Sequence, residues 1–151
     1  MDSVKEKFDA FLRQMGMLVL SWNSVERYLV TLIRKIVVDT RAIDILTAHM
    51  TAEAKTQALR VCASEMPDGD VKDRFLHACK YADILRDWRN HYVHNTGQAF
   101  GAGEELFGFT QQIKARHRFI VRNETITTKD LERVEKDCKT FADFAYRLYV
   151  F

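Results

Sequence analysis

The chain has 151 residues, enough for one domain with a real core, and its 47% hydrophobic and 29% charged residues exclude a disordered or collagenous polymer. A formal net charge of +2 does not point to a polyanionic partner, so any such preference has to come from local clustering. The three cysteines, Cys62, Cys79 and Cys138, are widely spaced and form no CxxC pair, which excludes a disulfide framework and a cysteine zinc site. They are expected to be reduced core residues in a cytoplasmic protein. The amino terminus, MDSVKEKFDAFLRQ, has no apolar signal core, and no apolar run reaches the roughly 20 residues of a membrane helix.

One proline and six glycines leave room for long helices. The first spans about Ser3 to Val38, with Gly16 as a candidate break. Phe11, Leu18, Trp22, Val25, Leu29, Leu32 and Ile36 recur on one helical face. A second helical region runs from about Arg41 to Met66 as two pieces, the later one starting near Thr51, and Pro67-Asp68-Gly69-Asp70 ends it in a turn. The next helix runs from about Val71 into DWRNHYVHN (Asp87–Asn95), with Phe75, Ala78, Ala82, Leu85 and Tyr92 on its buried side.

From Asn95 to Glu105 the glycine-rich NTGQAFGAGEE reads as a loop. Leu106 to Ile113 and His117 to Ile126 alternate apolar and polar, as two short strands do. The turn is expected at Lys114-Ala115-Arg116, with Phe107, Phe109, Phe119 and Val121 on one shared face. Thr127-x-x-Asp130 caps a last helix, with Leu131, Val134, Cys138, Phe141, Ala145 and Leu148 inward. The expected architecture is a single all-α domain over residues 1–151. It is an up-and-down bundle of four to five helices, with a loop and β-hairpin inserted at about 95–126 before the last helix.

Two charges fall on apolar faces. Glu26 lies roughly 40° from Trp22 around the first helix, and Arg89 projects between Ala78 and Ala82. An inward charge needs a partner, because desolvating it alone costs several kcal/mol. The expectation is that Glu26 and Arg89 meet across the helix interface, either as a structural ion pair or so that Glu26 holds Arg89 for a ligand. Around Arg89, Asn90 and His94 are four apart on one helical face, and Arg86 extends that ridge. With His91 these residues supply positive charge, amide donors and groups titrating near neutrality, which suits a phosphodiester.

Arg89-Asn90-x-x-x-His94 resembles the signature of the HEPN superfamily (higher eukaryote and prokaryote nucleotide-binding domains). That signature is an arginine, usually followed by a polar residue, then a histidine after four to six intervening positions, at the end of an internal helix of a small bundle. The resemblance is topological over most of the chain and sharp only from Arg89 to His94; the hairpin is not part of the minimal family bundle. It implies a homodimer with both motifs in one cleft, and RNA cleavage without a metal or other cofactor. His94 would act as general base or acid, Arg89 would stabilise charge on the phosphate, and Asn90 would orient the histidine or a phosphate oxygen. Glu26 and Arg86 would support the site, and His91 would make a secondary substrate contact. A toxin or phage-defence role follows from the same resemblance, with a cognate antitoxin or nucleotidyltransferase as partner.

Other readings stay open. His91 and His94 form HxxH, but with Asp87 and His117 as the nearest candidates no metal set is completed. Lys114, Arg116, Arg118 and Arg122, interleaved with Phe107, Phe109 and Phe119, suit single-stranded RNA, or else solvate the outer face of a hairpin covering the bundle. The tail FADFAYRLYVF is core or dimer interface. A non-catalytic HEPN-like nucleotide- or RNA-binding module and a helical protein-interaction subunit both remain alternatives to the endoribonuclease.

Overall fold

The computed structural model describes residues 2–37, 40–94, 107–115 and 118–151, with residues 2–4, 40, 94, 107–115 and 118–125 described by their backbone alone. Five helices, α1 (Asp2–Ile36), α2 (Thr40–Thr47), α3 (Ala52–Ser64), α4 (Asp70–His94) and α5 (Thr128–Val150), form the body of the protein. Strands β1 (Phe107–Ala115) and β2 (Arg118–Ile126) lie between α4 and α5. The bundle is built around α1, which packs on both α5 and α3; α4 completes it against α3 and α5, and short α2 lies on α1.

The helical faces follow the apolar spacing closely. Leu18, Val25, Leu29 and Leu32 of α1, Phe75, Ala78, Ala82 and Leu85 of α4, and Leu131, Val134, Cys138 and Phe141 of α5 are all buried in one core. At about 25 cal/mol per Å², each such large side chain contributes about 1.5–3 kcal/mol on leaving water. Gly16 does not break α1. A mid-helix glycine costs only about 1 kcal/mol relative to alanine, which a helix of 35 residues packed along its length absorbs. Thr51 accepts a hydrogen bond from the Ala54 N–H at 3.2 Å and starts α3. Gly69, with φ of +151°, carries the chain from α3 into α4 in a conformation that side-chain-bearing residues rarely adopt. A reciprocal capping box between Thr127 and Asp130 opens α5.

The expected ion pair between Glu26 and Arg89 does not form. One Glu26 oxygen accepts the Trp22 indole N–H at 2.8 Å, and the other accepts Lys55 of α3 at 2.7 Å. Trp22 is only 3% exposed, and its donor needs an acceptor inside the bundle. Glu26, one turn on, supplies it and then draws Lys55 in to balance the charge. A second polar link joins α3 to α4, where Asp83 accepts Arg60 at 2.5 Å. On α5, Glu135 is buried against Gln14 of α1 at 2.9 Å and pairs with Lys139. The Lys139 hydrogen bond, helped by Gln14, holds this carboxyl below its ordinary range despite burial. Its stabilising contribution is therefore present above the ordinary carboxylate pKa and lost as pH falls through the depressed value.

The strands pair antiparallel from Phe107 with Ile126 to Ala115 with Arg118. Lys114 and Ala115 belong to β1 and not to the turn expected at Lys114-Ala115-Arg116; residues 116–117 lie outside the described residues. This register also separates the aromatic residues. Phe109 pairs with Glu124 and Phe119 with Lys114, and directly paired residues share a face. Phe107 and Phe109 therefore occupy the opposite face from Phe119 and Val121, contrary to the expected single apolar face. The loop expected at Asn95 to Glu105 lies outside the described residues. Among the described residues no helix is long and apolar enough to cross a membrane.

Breaking the Trp22–Glu26–Lys55 link has a defined signature. Glu26→Ala should lower stability by about 1.5–3 kcal/mol, the range for hydrogen bonds to charged groups, measured as a shift in urea midpoint. Glu26→Gln, which keeps an acceptor for the indole, should lose less. A double-mutant cycle between Glu26 and Lys55 should give a clear coupling energy, and one between Glu26 and Arg89 should give none beyond error.

The cysteines make a second test. All three are free; burial pushes the Cys79 thiol up to about 11 and the Cys138 thiol up to about 12. The thiolate is the reactive form, so in the native protein at pH 8 a soluble alkylating reagent should modify half-buried Cys62 and spare the other two. Mass spectrometry of peptides should find all three modified only after denaturation.

Candidate functional site

The residues of interest occupy the last two turns of α4, up to its end at His94. On this helix Arg89 lies on the side of Ala78 and Ala82, while Asp87 is exposed and His91 half-buried. Arg89 and Asn90 are both half-buried, and the Arg89 guanidinium donates from Nη1 to Asn90 Oδ1 at 3.0 Å. Arginine has donors only, so this contact turns the amide oxygen to Arg89 and leaves the amide NH₂ as a donor. The two adjacent residues thus form one directed unit. Position 94 is the final residue of α4, one turn beyond Asn90 on the same ridge.

Arg86 is placed differently from the expectation that it adds positive charge to this ridge. It donates to Asp83 at 2.9 Å and to Asp87 at 3.4 Å. Asp83 in turn takes Arg60 on its other oxygen, so a chain of alternating charge runs from α3 onto α4. Arg86 serves this link, and its charge is compensated locally. Glu26 also leaves the site, since both its oxygens are engaged by Trp22 and Lys55. Of the expected set, Arg89 and Asn90 are joined at the helix end, and His94 follows them in sequence.

His91 lies on the outer side in an aromatic group that was not foreseen from the sequence. Its ring meets Tyr92 at 5.3 Å and the edge of Trp88 at 6.0 Å. Trp88 stacks on Tyr92, four residues on, with centroids 5.7 Å apart and planes at 24°. Arg133 of α5 places its guanidinium 5.5 Å from the Trp88 ring centre and reaches the Tyr92 hydroxyl at 3.4 Å. The available signal was the i, i+4 spacing of Trp88 and Tyr92 at the border of the apolar arc, beside the basic motif. Arg133 is too distant in sequence for any spacing rule to find.

The hairpin cations do not form one row. Lys114 pairs with Phe119 on one face, while Arg118 and Arg122 pair with Ala115 and Gln111 on the other. Arg116 lies outside the described residues. Among the described residues no group of three His, Cys, Asp or Glu side chains converges to hold a metal ion.

No sequence-family model, no curated protein and no solved structure matches the chain.

Proposed function

We propose that the chain is a metal-independent endoribonuclease of the HEPN type. The observation that carries the reading is the Arg89–Asn90 hydrogen bond at the end of α4, one turn before His94. It holds a permanent cation beside an amide donor at a helix end, in the order of the HEPN motif. Such a set suits a phosphodiester: arginine offers forked donors to phosphate oxygens, and histidine titrates close to neutral pH. In the proposed reaction the ribose 2′-oxygen attacks phosphorus as its proton passes to an imidazole acting as base. The bond to the 5′-oxygen breaks, and that oxygen takes a proton from an imidazole acting as acid. The products are a 2′,3′-cyclic phosphate and a 5′-hydroxyl.

Arg89 and His94 are five residues apart, roughly 140° around a regular helix, and do not converge on one point from one α4. A homodimer that sets two motifs into one cleft resolves this, with each chain supplying one of the proton-transferring histidines. Reduced thiols fit a cytoplasmic setting, and a toxin or phage-defence effector restrained by an antitoxin or nucleotidyltransferase partner is the biological role this chemistry suggests.

The purified protein should cut total RNA in EDTA and leave cyclic phosphate ends. His94→Ala should lower the rate by roughly 10²–10⁴-fold, the usual contribution of a general acid or base, without loss of folding. Arg89→Ala should also abolish cutting, and it does not orphan Glu26, which keeps Trp22 and Lys55 as partners. His91→Ala should retain substantial activity. A folded His94→Ala protein cutting at the parental rate would remove the reaction from this motif. Binding of RNA without cutting by the parental protein would instead make it a HEPN-like binding module.

The composite site carries its own test. Sedimentation at tens of micromolar, a concentration scale ordinary for weak association, should show a dimer. A strictly monomeric active enzyme would exclude the shared cleft.

A further inference from the structure

Trp88 is 42% exposed although three groups hold it, whereas Trp22 is 3% exposed and carries its indole N–H to Glu26. A tryptophan recruited for packing alone turns inward, as Trp22 does. Trp88 instead lies at the border of the core with Tyr92 stacked against it, His91 at its edge and Arg133 over its ring. Tyr92 is itself buried, and its hydroxyl is tied to Arg133, which also pairs with Asp130 at 3.8 Å. The indole is therefore held in a fixed orientation before anything binds, and little conformational entropy remains to be lost.

Its position relative to the motif completes the case. Trp88, His91 and His94 succeed one another at three-residue intervals along α4. From Trp88 to position 94 the helix rises roughly 9 Å. That is the reach of one nucleotide from its base to a neighbouring phosphate. The Arg133 guanidinium beside the ring adds cationic character where a polyanion would pass.

We infer that Trp88 is a stacking platform for an unpaired base of single-stranded RNA, one nucleotide away from the phosphate addressed by Arg89, Asn90 and His94. The inference rests on the reading of that motif as an RNA site. A paired base cannot offer its face, so the platform requires an unpaired one, and base identity matters little, because every base has a face. Tyr92 and Arg133 act as positioning residues for the platform.

The test uses the full chain and a 2′-O-methyl oligoribonucleotide, which lacks the attacking hydroxyl and cannot be cut by the proposed reaction. Its addition should quench the tryptophan fluorescence of the parental protein. In Trp88→Phe, where buried Trp22 is the remaining tryptophan, the quench should vanish while most affinity is kept. Trp88→Ala should bind about 5- to 150-fold more weakly, the loss of one base stack, with KM for cleavable RNA raised and kcat retained. A duplex of the same sequence should quench little.

Absence of quenching together with unchanged affinity in Trp88→Ala would overturn the platform, even if the protein cuts RNA at the Arg89–His94 motif. Quenching that persists in a protein unable to cut would overturn the ribonuclease reading and leave the platform standing. Conversion of a dimer to a monomer by Trp88→Ala, with oligonucleotide binding per chain unchanged, would show that the indole serves self-association and overturn the inference. No binding of the oligonucleotide by the parental protein would overturn both readings.

Discussion

A buried indole N–H must find an acceptor, and much of this bundle's internal arrangement can be traced from how Trp22 meets that demand. Its acceptor is a carboxylate one turn on, and a carboxylate at that depth requires a cation. Lys55 supplies it, which fixes the register of α3 against α1. Five residues further along α3, Arg60 reaches Asp83 and sets α3 against α4. The short helix α3 thus works as a polar strap between two long apolar ones. Apolar contacts supply most of the stabilisation, but they are tolerant of sliding; the two charged links are directional and select one register.

The strap also determines what the end of α4 is free to do. Asp83 and Asp87 absorb the charge of Arg86, and Asp83 anchors the helix through Arg60. The last turns beyond this anchor carry the Arg89–Asn90 unit and the Trp88 group, both supported from within α4 or from α5. Structural and site-forming charges are therefore segregated along one helix. The residues before position 87 secure it, and those from 88 onward face ligand in the proposed function.

Much of the fold was legible because helix faces repeat with a period that apolar residues report directly. Phe11 through Leu32, Phe75 through Tyr92 and Leu131 through Leu148 are buried where the spacing places them. The partner of Glu26 was not legible. Periodicity tells which way a side chain leaves its own helix and is silent on which neighbour stands there, and α3 occupies the position assigned to α4. The hairpin turn was hidden for a different reason: residues 114–117 contain no glycine or asparagine to mark it, and a displacement of one residue exchanges the faces. At the site, adjacency in sequence disclosed Arg89 and Asn90, while Arg133 reaches Trp88 from another helix.

The antiparallel register of Phe107–Ala115 with Arg118–Ile126 has a consequence for how such a protein diversifies. The ribbon is tethered to the bundle at Ile126, which is buried, and the Ala115–Arg118 pair lies at its far end. Inserting or deleting one residue in either strand would transfer every position beyond the change to the opposite face while α1 to α5 kept their packing. A lineage could thereby replace one surface chemistry with another in a single step, at no expense to the core. The bundle would be the conserved chassis, and the ribbon the part on which selection for a new ligand acts most readily.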